Sequence, residues 1–119
     1  MRKRLLMVVA FVLPLIVIAL TAAPSRGDDA AGGKDLFVNS KCNTCHSIAS
    51  QGIEAKTTSE KMKGPDLSDV GDKHDAKWID GWLQHVEKKD GKVHKGQFKG
   101  TDAERQQLVS WLVSLKKKA

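Results

Sequence analysis

The sequence predicts an all-α fold of three to four short helices, and three observations carry that expectation. Apolar side chains recur at helical spacing in two segments, Ile79, Trp82, Leu83 and Val86, then Leu108, Trp111, Leu112 and Leu115. Thr101 and Glu104 form a Thr-x-x-Glu capping box ahead of the second stripe, a start signal for a helix. No stretch of the chain alternates apolar and polar residues with the period of two that a half-buried strand requires.

Taken in order, the chain opens with Arg2, Lys3 and Arg4, followed by the apolar run Leu5 to Leu20, which only Pro14 interrupts, and then "TAAPSRGDD". A basic start, an apolar core and small residues are the layout of a secretory signal peptide. Residues 1–27 are therefore assigned to the signal and 28–119 to a single exported domain. Cleavage after Thr21-x-Ala23 would leave Pro24 next to the cut, and cleavage after Gly27 is the other option. An uncleaved anchor is the alternative, because Leu5 to Ala23 approaches the length that spans a bilayer as a helix.

Asp28 to Gly33 reads as a flexible leader, and Gly33 to Ser40 as a first helix carrying Leu36 and Phe37. Ala49 to Lys63 is rich in Ser, Thr and Lys and is expected to be a surface loop. "GPDLSDVG", residues 64–71, reads as an ordered turn. A helix is expected over Asp75 to Lys88, a glycine-containing loop over Asp90 to Gly100, and a last helix from Thr101. Lys116 to Lys118 are expected to close that helix, where positive charge suits the dipole.

Charge narrows the function classes. The whole chain carries +6, but four of those charges are Arg2, Lys3, Arg4 and Arg26, which leaves the exported part at only +2. Acids and lysines are interspersed in it, without the basic face or stripe of a nucleic-acid binder. A domain this small buries little apolar surface, so a disulfide, metal or cofactor is expected to complete its core.

"KCNTCHSI", residues 41–48, holds both cysteines of the sequence, Cys42 and Cys45, with His46 directly behind. A redox dithiol of this spacing belongs in a βαβ setting, and no strand is visible. A structural zinc site needs four ligands, for which His74, His85 or His94 would have to be recruited. A Cys42–Cys45 disulfide closes too short a loop to stabilise much. Cys-x-x-Cys-His is, however, a direct signature of covalent haem attachment. Two thioethers then tether the porphyrin, His46 binds its iron, and the haem fills the meagre core.

With that motif in place, Gly33 to Lys116 resembles a class I c-type cytochrome. "GKDLF", Gly33 to Phe37, is similar to that family's first helix, and Leu108 and Trp111 to its partners on the last. "KGPDLSDVG" resembles the family's Gly-Pro-x-Leu turn. The resemblance implies that the Pro65 carbonyl accepts a hydrogen bond from His46, which orients the ring and raises its basicity. Trp78 and Trp82 are expected to pack in the core or the haem pocket.

The resemblance also implies a methionine in the loop before the last helix, and this chain has none there. His94, in "GKVHKGQF", stands close to that position and is the preferred distal iron ligand. Met62, just before "KGPDL", is the second candidate. His85 is read as a packed or half-exposed helix residue and His74 as a surface one. Two axial ligands leave no vacant position on iron, which favours electron transfer over chemistry on a substrate. The expectation is a periplasmic monohaem electron carrier and not an enzyme, with one covalently bound haem c. Its partners would be redox proteins, including membrane-bound reductase or oxidase complexes, docked transiently. A haem enzyme or gas sensor with a labile distal ligand is the alternative.

Overall fold

The computed structural model describes residues 26–118; the expected signal segment lies almost wholly outside them. Four α-helices follow in order: α1, Arg26–Asn39; α2, Val70–Lys73; α3, Ala76–Leu83; and α4, Asp102–Val113. Among the described residues there is no strand, only isolated bridges between Ile48 and Ile53 and between Lys89 and Lys92. The all-α expectation is borne out. Among the same residues, no helix is long and apolar enough to cross a membrane.

Helix α1 begins earlier than its sequence suggested, so Asp28 to Gly33 is helical and not a flexible leader. Ala30 and Ala31 belong to the strongest helix-forming residue type, in keeping with the early start. Lys41, left-handed at φ 61°, turns the chain out of α1 and into Cys42.

The main packing is between α1 and α4. Gly33 is buried where a Cβ would overlap the Cβ of Trp111, so the two backbones meet at a point that admits only hydrogen. One turn on, Phe37 tilts against the Trp111 indole with ring centres 5.7 Å apart. Phe37 and Leu108 are all but inaccessible, with Val109, Trp111, Leu112 and Leu115 around them. Burying a side chain of this size stabilises a fold by roughly 1.5–3 kcal/mol. The capping box is complete: the Thr101 amide donates to Glu104 at 2.8 Å and the Glu104 amide to the Thr101 hydroxyl at 3.2 Å.

Two helix ends differ from the sequence reading. Helix α4 stops at Val113, because the Ser114 hydroxyl takes the Trp111 carbonyl and diverts the ladder. Lys116 to Lys118 therefore lie beyond the helix. That tail is held to α2, where the Gly71 amide donates to Leu115 O at 2.8 Å and the Lys117 amide to Asp72 at 2.7 Å.

Helix α3 stops at Leu83, five residues short of Lys88. Its end is a Schellman closure: the His85 amide donates to Trp82 O at 3.3 Å and the Val86 amide to Gly81 O at 2.8 Å. His85 occupies the left-handed position at φ 62°, which costs a residue with a Cβ on the order of 1 kcal/mol relative to glycine. Val86, expected on the apolar stripe, is consequently 71% exposed. Helices α3 and α4 are joined by Arg105, which donates to Asp80 and to Asp102, each at 2.7 Å. In the loop of residues 49–63 one residue departs from the polar pattern: Ile53 turns inward and is buried beside Ile48.

Candidate haem site

The motif folds as a tight turn. Cys42–Thr44 form a single 3-10 turn, and the His46 amide donates back to Cys42 O at 3.0 Å. Two flanking segments hold this turn. Lys56 and Thr57 donate to the carbonyls of Asn43 and Thr44, each at 2.9 Å. On the other side the Gly64 amide reaches Cys45 O at 2.8 Å and the Leu67 amide reaches Ser47 O at 2.9 Å.

That second pairing sets His46. Its Nδ1–H donates to the Pro65 carbonyl at 2.8 Å, which assigns the tautomer and leaves Nε2 with its lone pair free for a metal. Gly64 passes so close to the imidazole that a Cβ there would overlap the ring. Asp66 ties the same turn: it accepts from the Ser47 hydroxyl at 2.8 Å, the Ala49 amide at 2.9 Å and the Ser68 amide at 2.8 Å. Burial alone would raise the Asp66 carboxyl, but the bonds from Ser68, Ser47 and Ala49 outweigh it and hold it down to about 2.

Cys42 and Cys45 are both half-buried free thiols in the protein chain. Burial pushes the Cys42 thiol up to about 11, partly offset by a backbone hydrogen bond. Such a thiol is a poor thiolate, which does not suit a redox dithiol. Among the described residues, no group of three or more His, Cys, Asp or Glu is placed to hold a metal ion by itself. The donors here suit a metal that brings most of its ligands with it, as porphyrin iron does.

Across from His46 stands His94, with ring centres 5.9 Å apart and planes 25° from parallel. Its Nδ1 is buried and has no hydrogen-bond partner among the described residues, an arrangement that native structures seldom leave without a role. Burial, followed by the proximity of His46, lowers its pKa, while Gly96 opposes the shift. The ring is therefore kept in the neutral form that coordinates metals. The Trp82 indole lies beside it at 5.4 Å, and Trp78 and His74 continue the row at 5.1 Å and 3.6 Å. His74 is thus half-buried against Trp78 and not a plain surface residue.

The structure brings His46 together with Pro65 on one side and with His94 on the other. Met62 lies on the turn before Gly64 and is 51% exposed. His85 lies past the end of α3, where its Nε2–H donates to Gly96 O at 3.0 Å. Two participants went unassigned in the sequence. Asp66 was legible in part, since Asp-x-Ser after a proline is an Asx-turn pattern. The bond from His85 to Gly96 had no signal, because it joins residues across a loop of unknown path.

Comparison with known proteins agrees with this geometry. No curated protein and no solved structure matches the chain, but the family model described as Cytochrome c matches residues 30–116. That span takes in every helix from within α1 to the end of α4. The turn at Cys42–His46, the proline-bound imidazole and the α1–α4 crossing all fall inside it. The chain belongs to the cytochrome c family, with covalently attached haem c as its cofactor and Cys42 and Cys45 fitting the attachment motif.

Proposed function

We propose that this chain is an exported monohaem electron carrier whose iron is bound by His46 on one face and His94 on the other. The family is one of electron carriers, and haem iron, when bound, supplies a one-electron Fe(III)/Fe(II) couple. The observation that carries the finer reading is the facing pair of imidazoles. Metal–imidazole bonds are roughly 2 Å long, so two such rings on opposite sides of one ion have centres roughly 6 Å apart. His46 and His94 stand at 5.9 Å, with their planes 25° apart.

Each ring is suited to its role. His46 has one nitrogen committed to Pro65, and His94 has its pKa lowered by burial and a buried Nδ1 with no hydrogen-bond partner among the described residues. Met62 stands on a turn and is half-exposed, which suits an iron ligand less well. With both faces occupied, substrate has no place on the iron. Methionine opposite histidine raises the potential of haem iron, so a second histidine favours a lower one. Export to the periplasm rests on the signal layout of residues 1–27. Partners would be redox proteins, membrane-bound reductase or oxidase complexes among them, met in small and transient interfaces.

Ligation is tested by near-infrared and electron paramagnetic resonance spectra of the ferric holoprotein and of His94→Ala. A low-spin bis-imidazole signal that His94→Ala converts to high spin is the expected result. A methionine-to-iron charge-transfer band in the parent would replace His94 by Met62, and ready carbon monoxide binding by the ferrous parent would favour a ligand-binding haem protein instead.

A further inference from the structure

We infer that His85 is a positioning residue, whose imidazole pins the loop before α4 and so holds His94 over the haem face opposite His46. The inference rests on the reading of His94 as the second axial ligand.

Four observations lead to it. First, His85 sits at the left-handed position that ends α3, where glycine is the least strained residue. Second, nothing in that helix end needs its side chain, since the closure uses backbone groups of Gly81, Trp82, His85 and Val86 alone. Third, the imidazole is engaged elsewhere: Nε2–H donates to the Gly96 carbonyl at 3.0 Å, eleven residues along the chain. Fourth, that carbonyl belongs to a residue lying against the His94 ring, for a Cβ on Gly96 would stand 3.6 Å from His94 Cε1.

The loop has little else to hold it. From Lys89 onward its regular pairing is the bridge from Lys89 to Lys92, and Gly91, Lys92, Val93, Lys95, Gly96 and Gln97 are all exposed. Between residues 91 and 97 no side chain is fully buried, and such a stretch opens locally at small cost. Apart from the His85 bond, Lys95 Nζ donates to Lys61 O at 2.8 Å, and Phe98, near the end of the loop, packs partly buried against the core. Trp82 borders the His94 ring from the side of α3, but a ring contact does not fix the height of the loop as a directed hydrogen bond does. A strained histidine where glycine would be easier is explained by what its side chain reaches.

The test is cyanide binding to the ferric holoprotein, measured together with the thermal midpoint, for the parent, His85→Gly, His85→Gln and His94→Ala. Cyanide competes with the distal ligand, so its apparent affinity follows the fraction of molecules with that ligand displaced. His85→Gly keeps the helix closure and relieves its strain. It is expected to hold or raise the thermal midpoint while raising cyanide affinity about tenfold or more. His85→Gln restores a donor of similar reach and is expected to bring the affinity back towards the parent. Unchanged cyanide affinity in His85→Gly overturns the positioning role, as does an equal rise in His85→Gln and His85→Gly. A ferric spectrum untouched by His94→Ala overturns the ligand assignment itself, and with it the object that His85 positions. The two failures are thereby told apart.

Discussion

Gly64 stands where the His46 imidazole leaves room for hydrogen alone. Gly64→Ala is therefore expected to push the ring off the Pro65 carbonyl, seen as a perturbed ferric spectrum and a lowered yield of haem-loaded protein. Asp66, on the same turn, predicts a pH dependence. Its carboxyl is held down to about 2 in the folded chain against an ordinary value of 3.8, so the folded state binds its proton less readily than the unfolded one. The stabilisation is thus fully present above about pH 4 and is lost as pH falls towards 2. Because Asp66 is solvent-exposed, the contribution is on the order of 1 kcal/mol after screening. Acid unfolding of Asp66→Asn, followed by circular dichroism, should show a flatter decline between those limits than the parent. An identical decline would assign the acid sensitivity to other carboxylates.

At the scale of elements, α3 and α4 were legible at their starts and missed at their ends, whereas α1 was missed at its start and found at its end. A start is announced by side chains acting on neighbouring amides, as Thr101 and Glu104 do for α4 and Asp75 does for α3. Thr101→Ala should cost about 1 kcal/mol in chemical denaturation, since one amide loses its cap. Ends depend on what the chain does next. Helix α3 stopped early because His85 took a left-handed conformation, and no local signal for that exists in a histidine. Val86 was drawn onto the apolar stripe by spacing alone, and its exposure gives a control: Val86→Ser should change stability by less than about 0.5 kcal/mol. The α1–α4 crossing behaves oppositely. Gly33→Ala inserts a methyl group between two closely packed backbones and should cost about 1–3 kcal/mol, read as a lower denaturation midpoint in the haem-loaded protein.

For the whole molecule, the described residues share one small core of eleven buried apolar side chains, drawn from all four helices, from Ile48 and Ile53 after the motif, and from Leu115 beyond α4. Such a core is marginal for a chain this short, and the haem is expected to supply the missing apolar centre. Chemical cleavage of the thioethers and extraction of the haem should therefore remove most of the cooperative thermal transition seen by circular dichroism. A sharp transition surviving at the same temperature would show that the protein core suffices.

The attachment chemistry, the helical class and the two ends of the α1–α4 packing were all determined by the sequence. Each is written in residues a few positions apart: Cys42, Cys45 and His46, the apolar stripe of α4, and Gly33 followed by Phe37. Local spacing suffices for these because bonded geometry fixes where such neighbours point. Position in the chain made His94 the preferred distal candidate, but its placement opposite His46 was decided only by tertiary structure. His94 is one of four histidines in the sequence, and neither its 5.9 Å approach to His46 nor its bond-starved nitrogen is implied by its neighbours. Those depend on how a loop whose His94 lies 48 residues beyond His46 comes back over the motif, held there by Trp82 of α3, the His85–Gly96 bond and the Lys95–Lys61 bond.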